Sequence, residues 1–548
     1  PDWRRRAAQC VVAVVVAVPV VRMFELVRGV SAMPYSDYWI IFGGLVRADG
    51  SVDLGDLLVR HNDHPLLVAK SLYALNLQLF DGSNATLALA VLLVGILQLV
   101  AVGVLLARSR LSFAERSLVL ILSSVLLFSM NGAWNYVLAM SGAAWLTANV
   151  LVLAAIVLRQ HDRTWGAFAL GVLATASYGT GMAVWPALVV IGIVRRPWRD
   201  WWKELAPVAG FVVANWVRTS QSNLTIEIPF DPGQLLRDVA TLLGFGVGID
   251  GSAGRLVGYV ALAVAVPLVA WAVARRVEAA APWAGLTTYG VASCAFIVYG
   301  RPNFLGGEPN RYQSLAALFW VGLVALLVHG YRGAVLGFTA DRAPAVRRVT
   351  LAAASAVVVL PLLIPSWAAG SAHRRALEDG RTLQDLGAVA LRLGVDDDLE
   401  FMLRFGRSPA SVEELRAAGQ YPFSPRWDAD CGLLGQRIPV DDLPSADGGL
   451  ATATRPAQLE GGIDLAGRVP VALDPACILI LGDHQEVVGA GVLDLWANGF
   501  RTSDANPLVF RAVARDGHRS YQAVVVTGAG QRVLLVDGLD GAEITDPA

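Results

Sequence analysis

ATLALAVLLVGILQLVAVGVLLA, residues 85–107, contains no charged side chain and decides the fold class. A helix that crosses the hydrocarbon core of a bilayer needs about 20 consecutive apolar residues, and this stretch meets that requirement by itself. Asp81 precedes the run and Arg108 follows it, as expected where a span reaches water at both ends. The stretch therefore predicts a membrane protein.

The composition of the whole chain agrees with this prediction. The 548 residues are 55% hydrophobic and only 16% charged, with a mean hydropathy of +0.52, whereas soluble domains carry about 25% charged residues. The net charge of -1 gives no indication of a nucleic-acid partner. The sequence also contains no zinc-type Cys/His spacing, no P-loop and no Rossmann glycine pattern.

Other apolar runs along the chain predict a polytopic α-helical protein with about eleven transmembrane helices. Some runs are short, and these require shelter by surrounding protein to span the bilayer. The eleven candidate spans are residues 8–29, 85–107, 117–136, 143–158, 165–179, 182–194, 205–217, 256–274, 283–299, 314–329 and 349–368.

The connections between these spans alternate in charge, which predicts the topology. One set is rich in arginine, for example RSRLSFAER at 108–116 and RRPWRDWWK at 195–203, and the positive-inside rule places it in the cytoplasm. The other set is richer in Asp, Asn and Gly and faces the extracytoplasmic side of a bacterial plasma membrane. An odd number of spans then puts the N-terminus inside and residues 369–548 outside. The outer set comprises residues 30–84, SMNGAW at 129–134, SYGTG at 177–181, 218–255 and 299–314.

The residues after the last candidate span differ in composition from the rest. We divide the chain into a transmembrane catalytic domain (1–368), a mixed helical and loop connector (369–454) and a mainly-β domain (455–548). ACILILGDHQEVVGAGV and SYQAVVVTGAGQRVLLVDG each predict two strands joined by a tight turn, and we expect a compact, jelly-roll-like β-sandwich. Cys431 and Cys477 are the only pair available for a disulfide in an oxidising compartment, although the sequence does not show whether their Cα atoms come within reach.

The first outer connection contains an acid directly after the first span. Asp37 lies between Tyr35 and Trp39 in MPYSDYW, and an ionised carboxylate at a membrane interface is costly unless it is paired or used. As a functional group, Asp37 is a general base that takes a proton from an acceptor hydroxyl, with Tyr35 and Trp39 contacting substrate. The alternative is an interfacial belt of aromatic residues beside a solvated acid.

HNDHP, residues 61–65, also has two interpretations. Asp63 or His64 caps a helix that begins at Pro65, a favoured first helical position. Alternatively, the N-terminus of that helix, with His61 and His64, faces an anion, and Asp63 contacts substrate. A divalent metal held by these residues with Asp37 is conceivable, but no metal or other cofactor is predicted from so loose a pattern.

RPNFLGGEPNRYQS, residues 301–314, is the second polar constellation. The forked guanidinium groups of Arg301 and Arg311 suit phosphate, with Tyr312 beside them and Glu308 as a substrate contact. The alternative is an ordinary outer loop whose arginines touch lipid headgroups or pair with Glu308. Weaker candidates for binding a phosphate lie in the 218–255 connection, and they are Arg218, Arg237 and Arg255. The apolar stretch of this connection is too short to span the bilayer, and we expect it to re-enter the membrane.

Residues 10–368 resemble the GT-C superfamily of integral-membrane glycosyltransferases, of an actinobacterial type. The resemblance is carried by SDYW at 36–39, by HNDHPLLVAKSLYALNLQLFDG at 61–82 and by NRYQSLAALFWVGLVALL at 310–327. It implies a polyprenyl-phosphate-linked sugar as donor, Asp37 as the catalytic base, and Arg311 with Tyr312 on the phosphate. Ser36 stands where several members carry a second acid, so the resemblance leaves metal dependence open. The C-terminal domain resembles the carbohydrate-binding-like modules attached to such enzymes.

The resemblance gives the expected reaction. A sugar, arabinofuranose or mannose, moves from the polyprenyl phosphate (decaprenyl-phosphoryl-arabinose for an arabinosyltransferase) to a cell-envelope glycan or glycolipid. The residues support a lipid-linked donor independently, because nucleotide sugars are made inside and the polar groups gather outside. A transporter or flippase of a lipid-linked saccharide is the alternative, although such proteins show intramembrane charges and repeats. An envelope glycan polymerase or ligase is a further alternative.

Overall fold

The computed structural model describes most of the chain. The described residues are 2–34, 37–47, 49–61, 64–220, 231–300, 312–338, 364, 368, 370, 374, 380–395, 409–427, 431–455, 459, 461–494, 507–540 and 544.

The described helices occupy most of the first 340 residues. They are α1 Asp2–Arg28, α2 Tyr38–Leu45, α3 Leu67–Phe80, α4 Asn84–Ala107, α5 Phe113–Leu127, α6 Trp134–Val137, α7 Ala139–Gln160, α8 Thr164–Ser177, α9 Val184–Arg195, α10 Leu205–Ser220, α11 Pro232–Phe245, α12 Gly251–Ala274, α13 Ala281–Gly300, α14 Gln313–Phe338 and α15 Pro409–Ala417. Residues 380–393 are also helical.

Seven described helices are long and apolar enough to cross a membrane. They cover Arg5–Arg28, Asn84–Ala107, Phe113–Gly132, Ala139–Gln160, Gly251–Ala274, Glu278–Gly300 and Gln313–Tyr331. Each coincides with a predicted span. The candidates at 165–179, 182–194 and 205–217 are the shorter helices α8, α9 and α10, and the candidate at 349–368 lies almost entirely outside the described residues.

Local sequence explains where several of these helices begin. α5 starts at Phe113 because Ser112 and Glu115 form a capping box, in which the Ser112 Oγ accepts from the Glu115 N–H and Glu115 Oε2 accepts from the Ser112 N–H. α11 starts at Pro232 because the Asp231 carboxylate accepts from the next free backbone N–H groups, and proline suits the first helical position.

The chain forms two compact units. Unit 1 comprises Pro1–Arg28, Leu57–Leu72 and Ala88–Arg374, and unit 2 comprises Gly29–Asp56, Tyr73–Leu87 and Arg375–Ala548. This division differs from the predicted boundary at residue 368, because two segments of the first connection group with the C-terminal part of the chain.

Hydrogen bonds within unit 2 account for this grouping. Ser31 Oγ donates to Asp385 Oδ1 at 2.5 Å. The Asp81 carbonyl accepts from the Tyr421 N–H at 2.8 Å, and its carboxylate accepts from Ser424 Oγ at 2.7 Å. α15 also packs against α2. These partners are hundreds of residues apart, so no local pattern in the sequence indicates them.

The core of unit 1 is formed by α7, α13 and α14, whose spans are 72%, 72% and 78% buried, whereas those of α1 and α12 are 22% buried. Glycines allow the closest approach. A Cβ on Gly290 of α13 would collide with Phe319 of α14, and one on Gly322 of α14 would meet Thr287 Oγ1 at 2.6 Å. Small residues at helix contacts are typical of membrane proteins, where dense packing provides much of the helix association energy.

The apolar stretch of the 218–255 connection forms α11. Its 14 residues extend about 21 Å, which is too short to span a bilayer. α11 packs antiparallel to the first half of α12, since a Cβ on Gly244 would collide with Gly254 and one on Gly258 with the Ala240 carbonyl oxygen. Trp320 Nε1 of α14 donates to the Leu243 carbonyl at 2.8 Å. α11 is therefore a short helix held among long ones.

Charged side chains cluster where α7 and α9 end. Arg159 Nη2 donates to Glu204 Oε1 and Oε2 at 2.6 and 2.7 Å, and Arg196 Nη1 donates to Glu204 Oε1 at 2.8 Å. Arg195 bonds the Arg159 carbonyl at 2.6 Å and the Asp162 carboxylate at 3.0 Å. We call these five residues the arginine cluster. They belong to connections that the basic residues predict to be cytoplasmic.

The described strands of unit 2 form a closed barrel. They are β1 Ser445–Thr454, β2 Gly462–Val469, β3 Pro475–Leu481, β4 Val487–Leu493, β5 Leu508–Arg515, β6 Ser520–Thr527, β7 Arg532–Asp537 and β8 Leu539–Asp540. The hydrogen-bonded order β3-β4-β5-β2-β1-β7-β6 returns to β3 through the β3–β6 pairing. All pairs are antiparallel except β1 with β7.

Both predicted hairpins are present, as β3–β4 and β6–β7. The predicted sandwich is replaced by a barrel, and the β domain begins at Ser445 rather than at residue 455. The reason is that β1, which the sequence did not predict as a strand, pairs with both β2 and β7 and so joins the two halves of the sheet into a ring. SADGGLATAT, the sequence of β1, is small and polar and carries no strand pattern. The interior is filled by alternating residues, for example Phe510, Ala512 and Ala514 of β5.

A covalent bond fastens a loop to the outside of the barrel. Cys431 and Cys477 form a disulfide with a Cα–Cα distance of 6.2 Å. Ile438, in the segment after Cys431, packs with Leu479 of β3 and Val524 of β6 in a second buried apolar cluster. The disulfide considered from the sequence is therefore present, and it links the segment after Cys431 to β3.

Candidate functional site

Asp37, the predicted catalytic base, lies immediately before α2 in unit 2. Its backbone carbonyl accepts from the Ile41 N–H at 3.1 Å, while its side chain makes no capping bond to α2. The residue as a whole is partly exposed. Asp37 therefore lies at the start of α2 without capping it through its side chain.

The aromatic residues beside Asp37 are core residues. Tyr38 and Trp39 are both 0% exposed, and the Tyr38 ring contacts Phe42 at 4.6 Å and Tyr73 at 6.1 Å. An interfacial belt requires rings that face lipid headgroups, so these two rings do not form one. Tyr35 lies outside the described residues. Trp39 remains a predicted substrate contact, but its indole is buried.

A second acid of unit 2 was not anticipated from the sequence. Asp385 lies in the helical segment 380–393 and accepts from Ser31 Oγ, next to the start of the first connection. Burial raises the pKa of the Asp385 carboxyl, while the neighbouring Arg381 opposes that shift. Its local sequence, RTLQDLGAVALRL, has the pattern of an ordinary amphipathic helix and gives no sign of this placement.

His61 and His64 of HNDHP pair through their backbones in unit 1. The His61 N–H donates to the His64 carbonyl at 3.1 Å, and the His64 N–H donates to the His61 carbonyl at 2.9 Å. α3 begins at Leu67, two residues after the predicted start at Pro65, because His64 is held in this extended pairing. Asp63 lies outside the described residues, so its predicted roles as cap and substrate contact are not described.

Four aromatic side chains from separate parts of unit 1 contact one another in series. His64 contacts Tyr178 with ring centroids 4.6 Å apart, Tyr178 stacks on Trp145 at 4.9 Å, and Trp145 contacts Tyr312 at 4.4 Å. We call these residues the ring cluster. His64, Tyr178 and Tyr312 each belong to a different predicted outer connection, and Trp145 lies in the first turns of α7, after another one. Three predicted outer connections therefore meet one another and the first turns of α7.

A glycine permits one of these contacts. A Cβ on Gly179 would lie 2.9 Å from His64 Nδ1, closer than real Cβ contacts. The absence of a side chain at Gly179 therefore lets the His64 imidazole approach the turn that follows Tyr178. No residue of SYGTG was predicted to belong to the site, although a tyrosine directly before Gly-Thr-Gly in an otherwise apolar region was an available signal.

Polar groups lie one helical turn from the ring cluster. Asn149, four residues after Trp145 on α7, accepts from the Tyr289 hydroxyl of α13 at 2.7 Å, and both side chains are 0% exposed. Gln313, next to Tyr312, is 1% exposed, and its Nε2 donates to the carbonyls of Leu126 and Gly246. The amide of Gln313 thus satisfies carbonyls near the C-terminal ends of α5 and α11.

The second polar constellation is only partly described. Tyr312 is 0% exposed and belongs to the ring cluster, whereas Arg301, Glu308 and Arg311 lie outside the described residues. Arg255 donates from Nε to Thr241 Oγ1 at 3.3 Å, and Arg237 is exposed on α11. The structure therefore brings together His64 and Tyr312 from the predicted phosphate contacts, while Asp37 and Trp39 belong to the other unit.

The described residues contain no group of three or more His, Cys, Asp or Glu side chains arranged to hold a metal ion. Asp63, one of the four ligands considered from the sequence, is outside that search.

No protein-family model, no curated protein and no solved structure matches this chain. Its candidate site is therefore interpreted from its own residues. The ring cluster offers aromatic faces whose edges carry hydroxyl, indole N–H and imidazole groups, a combination that binds ligands with both apolar and hydrogen-bonding surface. Asp37 is a partly exposed residue that carries a carboxylate, which suits proton abstraction.

Proposed function

We propose that this protein is a membrane glycosyltransferase that uses a polyprenyl-phosphate-linked sugar. It transfers arabinofuranose or mannose to an envelope glycan or glycolipid on the extracytoplasmic face of the plasma membrane. The observation that carries the proposal is the meeting of three predicted outer connections with the start of α7 in the ring cluster. The arginine cluster supports the same orientation, since it lies at the far end of α7.

The depth of the bundle fits this orientation. Trp145 of the ring cluster and Arg159 of the arginine cluster are fourteen positions apart on α7, which corresponds to about 21 Å. The hydrocarbon core of a bilayer is about 30 Å thick. One end of unit 1 carries neutral aromatic and amide groups, and the other carries paired arginines, as expected if only the first end meets substrate.

In the proposed reaction, Asp37 takes the proton of an acceptor hydroxyl. The oxygen then attacks the anomeric carbon of the donor with inversion, and the bond to the phosphate oxygen breaks with its electron pair on the polyprenyl phosphate. Cationic groups near the outer interface stabilise that developing charge. Arg311, Arg301, His61 and His64 are the proposed phosphate contacts.

The decisive experiment is a transfer assay on purified full-length protein with radiolabelled donor lipid. We expect Asp37→Asn to bind the donor and form no product, because the amide cannot accept the proton. Asp49→Asn is the matched control, since Asp49 is an exposed acid of the same connection whose carboxylate accepts from the nearby Ser51 N–H. Full activity of Asp37→Asn would exclude the proposed base.

The orientation is tested by cysteine labelling of intact cells. Cys10 is exposed, Cys294 is buried and the other two cysteines are bonded, so a Cys10→Ser background leaves little native signal. Asp37→Cys in that background should react with a membrane-impermeant maleimide before lysis. Labelling only after lysis would overturn the proposed topology and, with it, the need for a lipid-linked donor.

A transporter of lipid-linked saccharide is the second candidate, and Asp238 favours it. This acid of α11 is 6% exposed, its Oδ2 accepts from Gln234 at 2.7 Å, and its Oδ1 has no partner among the described residues. Buried acids among membrane helices often serve ion coupling or transport. Loss of lipid translocation in Asp238→Asn vesicles, with no sugar transfer by the unsubstituted protein, would select this candidate.

A further inference from the structure

Two asparagines in the short connection between α5 and α7 are fully buried, and their side-chain amides lack hydrogen-bond partners among the described residues. Asn131 and Asn135 are each 0% exposed, and Nδ2 and Oδ1 of both side chains have no partner in the described part of the chain. Leaving a buried polar group unpaired destabilises the folded state. The fold therefore keeps two buried amides at an expense in stability.

The backbone places these two residues in successive helical turns. Met130–Gly132 form a 3-10 turn that leads through Ala133 into α6, and Ser129 Oγ accepts from the Asn131 N–H at 3.3 Å. The two asparagines are four residues apart along these turns.

The same turn lies next to the ring cluster. A Cβ on Gly132, between the two asparagines, would collide with Oε1 of Gln313. Gln313 follows Tyr312, whose ring contacts Trp145 at 4.4 Å. α6 also packs against α7, which carries Trp145. The unpaired amides are thus near neighbours of the aromatic faces already described.

The chemistry of these groups indicates what they bind. A primary amide offers two donors and one acceptor oxygen without any charge, which matches a hydroxyl group, itself both donor and acceptor. A phosphate is bound best by charged donors, and the described neighbours Gln313 and Ser314 are also neutral. The expected ligand is therefore uncharged and rich in hydroxyl groups, as a sugar ring is.

We propose that Asn131 and Asn135 are specificity-determining residues that hold the hydroxyl groups of the donor sugar. The proposal rests on the proposed function for the lipid carrier of that sugar. It assigns the sugar to these amides and leaves the phosphate to the cationic groups.

The test compares two lipids on full-length protein in nanodiscs. The probes are decaprenyl phosphate and the same lipid carrying arabinofuranose or mannose, and the measurement is the dissociation constant of each. The unsubstituted protein should prefer a sugar-bearing lipid. Asn131→Leu and Asn135→Leu should each weaken binding of that lipid about tenfold, since one or two hydrogen bonds are worth about 1–1.5 kcal/mol. Binding of decaprenyl phosphate should not change.

A second readout separates ligand binding from a structural role. Replacing an unpaired buried amide by a similar apolar side chain is neutral or stabilising, so the thermal midpoint of both leucine variants should hold or rise. Asn84→Leu is the matched control. Asn84 is 1% exposed but its Nδ2 donates to the Ser31 carbonyl at 3.2 Å, so this variant should lose stability and keep the lipid preference. Asn131→Ser provides a smaller change if a leucine does not fit.

The outcomes also separate this inference from the proposed function. Sugar-dependent binding that disappears in the asparagine variants, without any transfer by the unsubstituted protein, would uphold the inference and reject the transferase. Normal transfer and unchanged affinity in both variants would do the reverse. Equal affinity of the unsubstituted protein for the two kinds of lipid, or binding of neither, would overturn the inference.

Discussion

Removal of Glu204 should be among the most destabilising single changes in unit 1. The side chains of Glu204 and Arg159 are each 4% exposed, and Glu204 accepts from Arg159 at 2.6 and 2.7 Å and from Arg196 at 2.8 Å. Glu204→Leu leaves the Arg159 guanidinium buried, with Thr164 Oγ1 as its remaining described side-chain partner. Breaking a buried pair in this way costs about 3–5 kcal/mol.

The opposite change should cost less because the two partners are not equivalent. After Arg159→Met, Glu204 still accepts from Arg196, whose side chain is 26% exposed and reaches solvent. We expect a loss of about 2–3 kcal/mol, the usual value for hydrogen bonds to a charged group. The double variant Arg159→Met/Glu204→Leu has neither buried charge and should be closer to the original stability than either single variant.

The assay is thermal unfolding of full-length protein in nanodiscs, followed by tryptophan fluorescence. The expected order of midpoints is unsubstituted and double variant highest, then Arg159→Met, then Glu204→Leu. Lys203→Met is the control, since Lys203 pairs with Asp200 at 2.9 Å on the surface, where the side chains are 43% and 37% exposed and a salt bridge contributes about 0–1 kcal/mol. A Glu204→Leu midpoint equal to that of the control would refute the reasoning.

Three other predictions concern stability. Cys477→Ser removes the bond to Cys431, which is 46 positions away, and should destabilise the barrel by about 4 kcal/mol. Denaturant unfolding with and without reductant measures this loss, and an unchanged unfolding midpoint would contradict the prediction. Gly258→Ala should destabilise the α11–α12 pair, because the new Cβ meets the Ala240 carbonyl. Gly103→Ala places its Cβ where nothing lies within 4 Å and should be neutral or stabilising by up to about 1 kcal/mol. Equal thermal midpoints of the two variants would count against the close approach of α11 to α12. Backbone N–H groups of the β5–β6 turn hold the pKa of Asp483 below its ordinary value of 3.8. The stability that this interaction provides is therefore present above that value and lost as the pH falls below it. Asp483→Asn should unfold with a weaker acid dependence, and an identical pH profile would exclude this role.

Local features of the sequence were sufficient for most helices and hairpins. The run at 85–107 became α4, Asn84–Ala107, because an uncharged stretch of that length has few alternatives to a helix. The β3–β4 and β6–β7 hairpins followed from runs of β-formers broken by turn residues. Helix and hairpin contacts are near in sequence, so the pattern contains the information that they need.

Long-range contacts could not be predicted in this way. β1 has a polar, glycine-containing sequence and becomes a strand only because β2 and β7 pair with it on both sides. The first connection joins unit 2 through partners such as Asp385 and Ser424. Of the candidate site, His64 and Tyr312 were named from the sequence, whereas Trp145, Tyr178 and the buried asparagines were not, since each is unremarkable in its own segment.

The sequence by itself determined the apolar helices, the break in composition before the β domain and the alternation in charge between successive connections, because hydropathy and charge act residue by residue. The tertiary structure decided which of those connections meet, that the β domain closes as a barrel, and which buried amides are left without partners. These outcomes depend on burial and hydrogen bonding between residues far apart in the chain, and such interactions exist only after the helices and strands have packed.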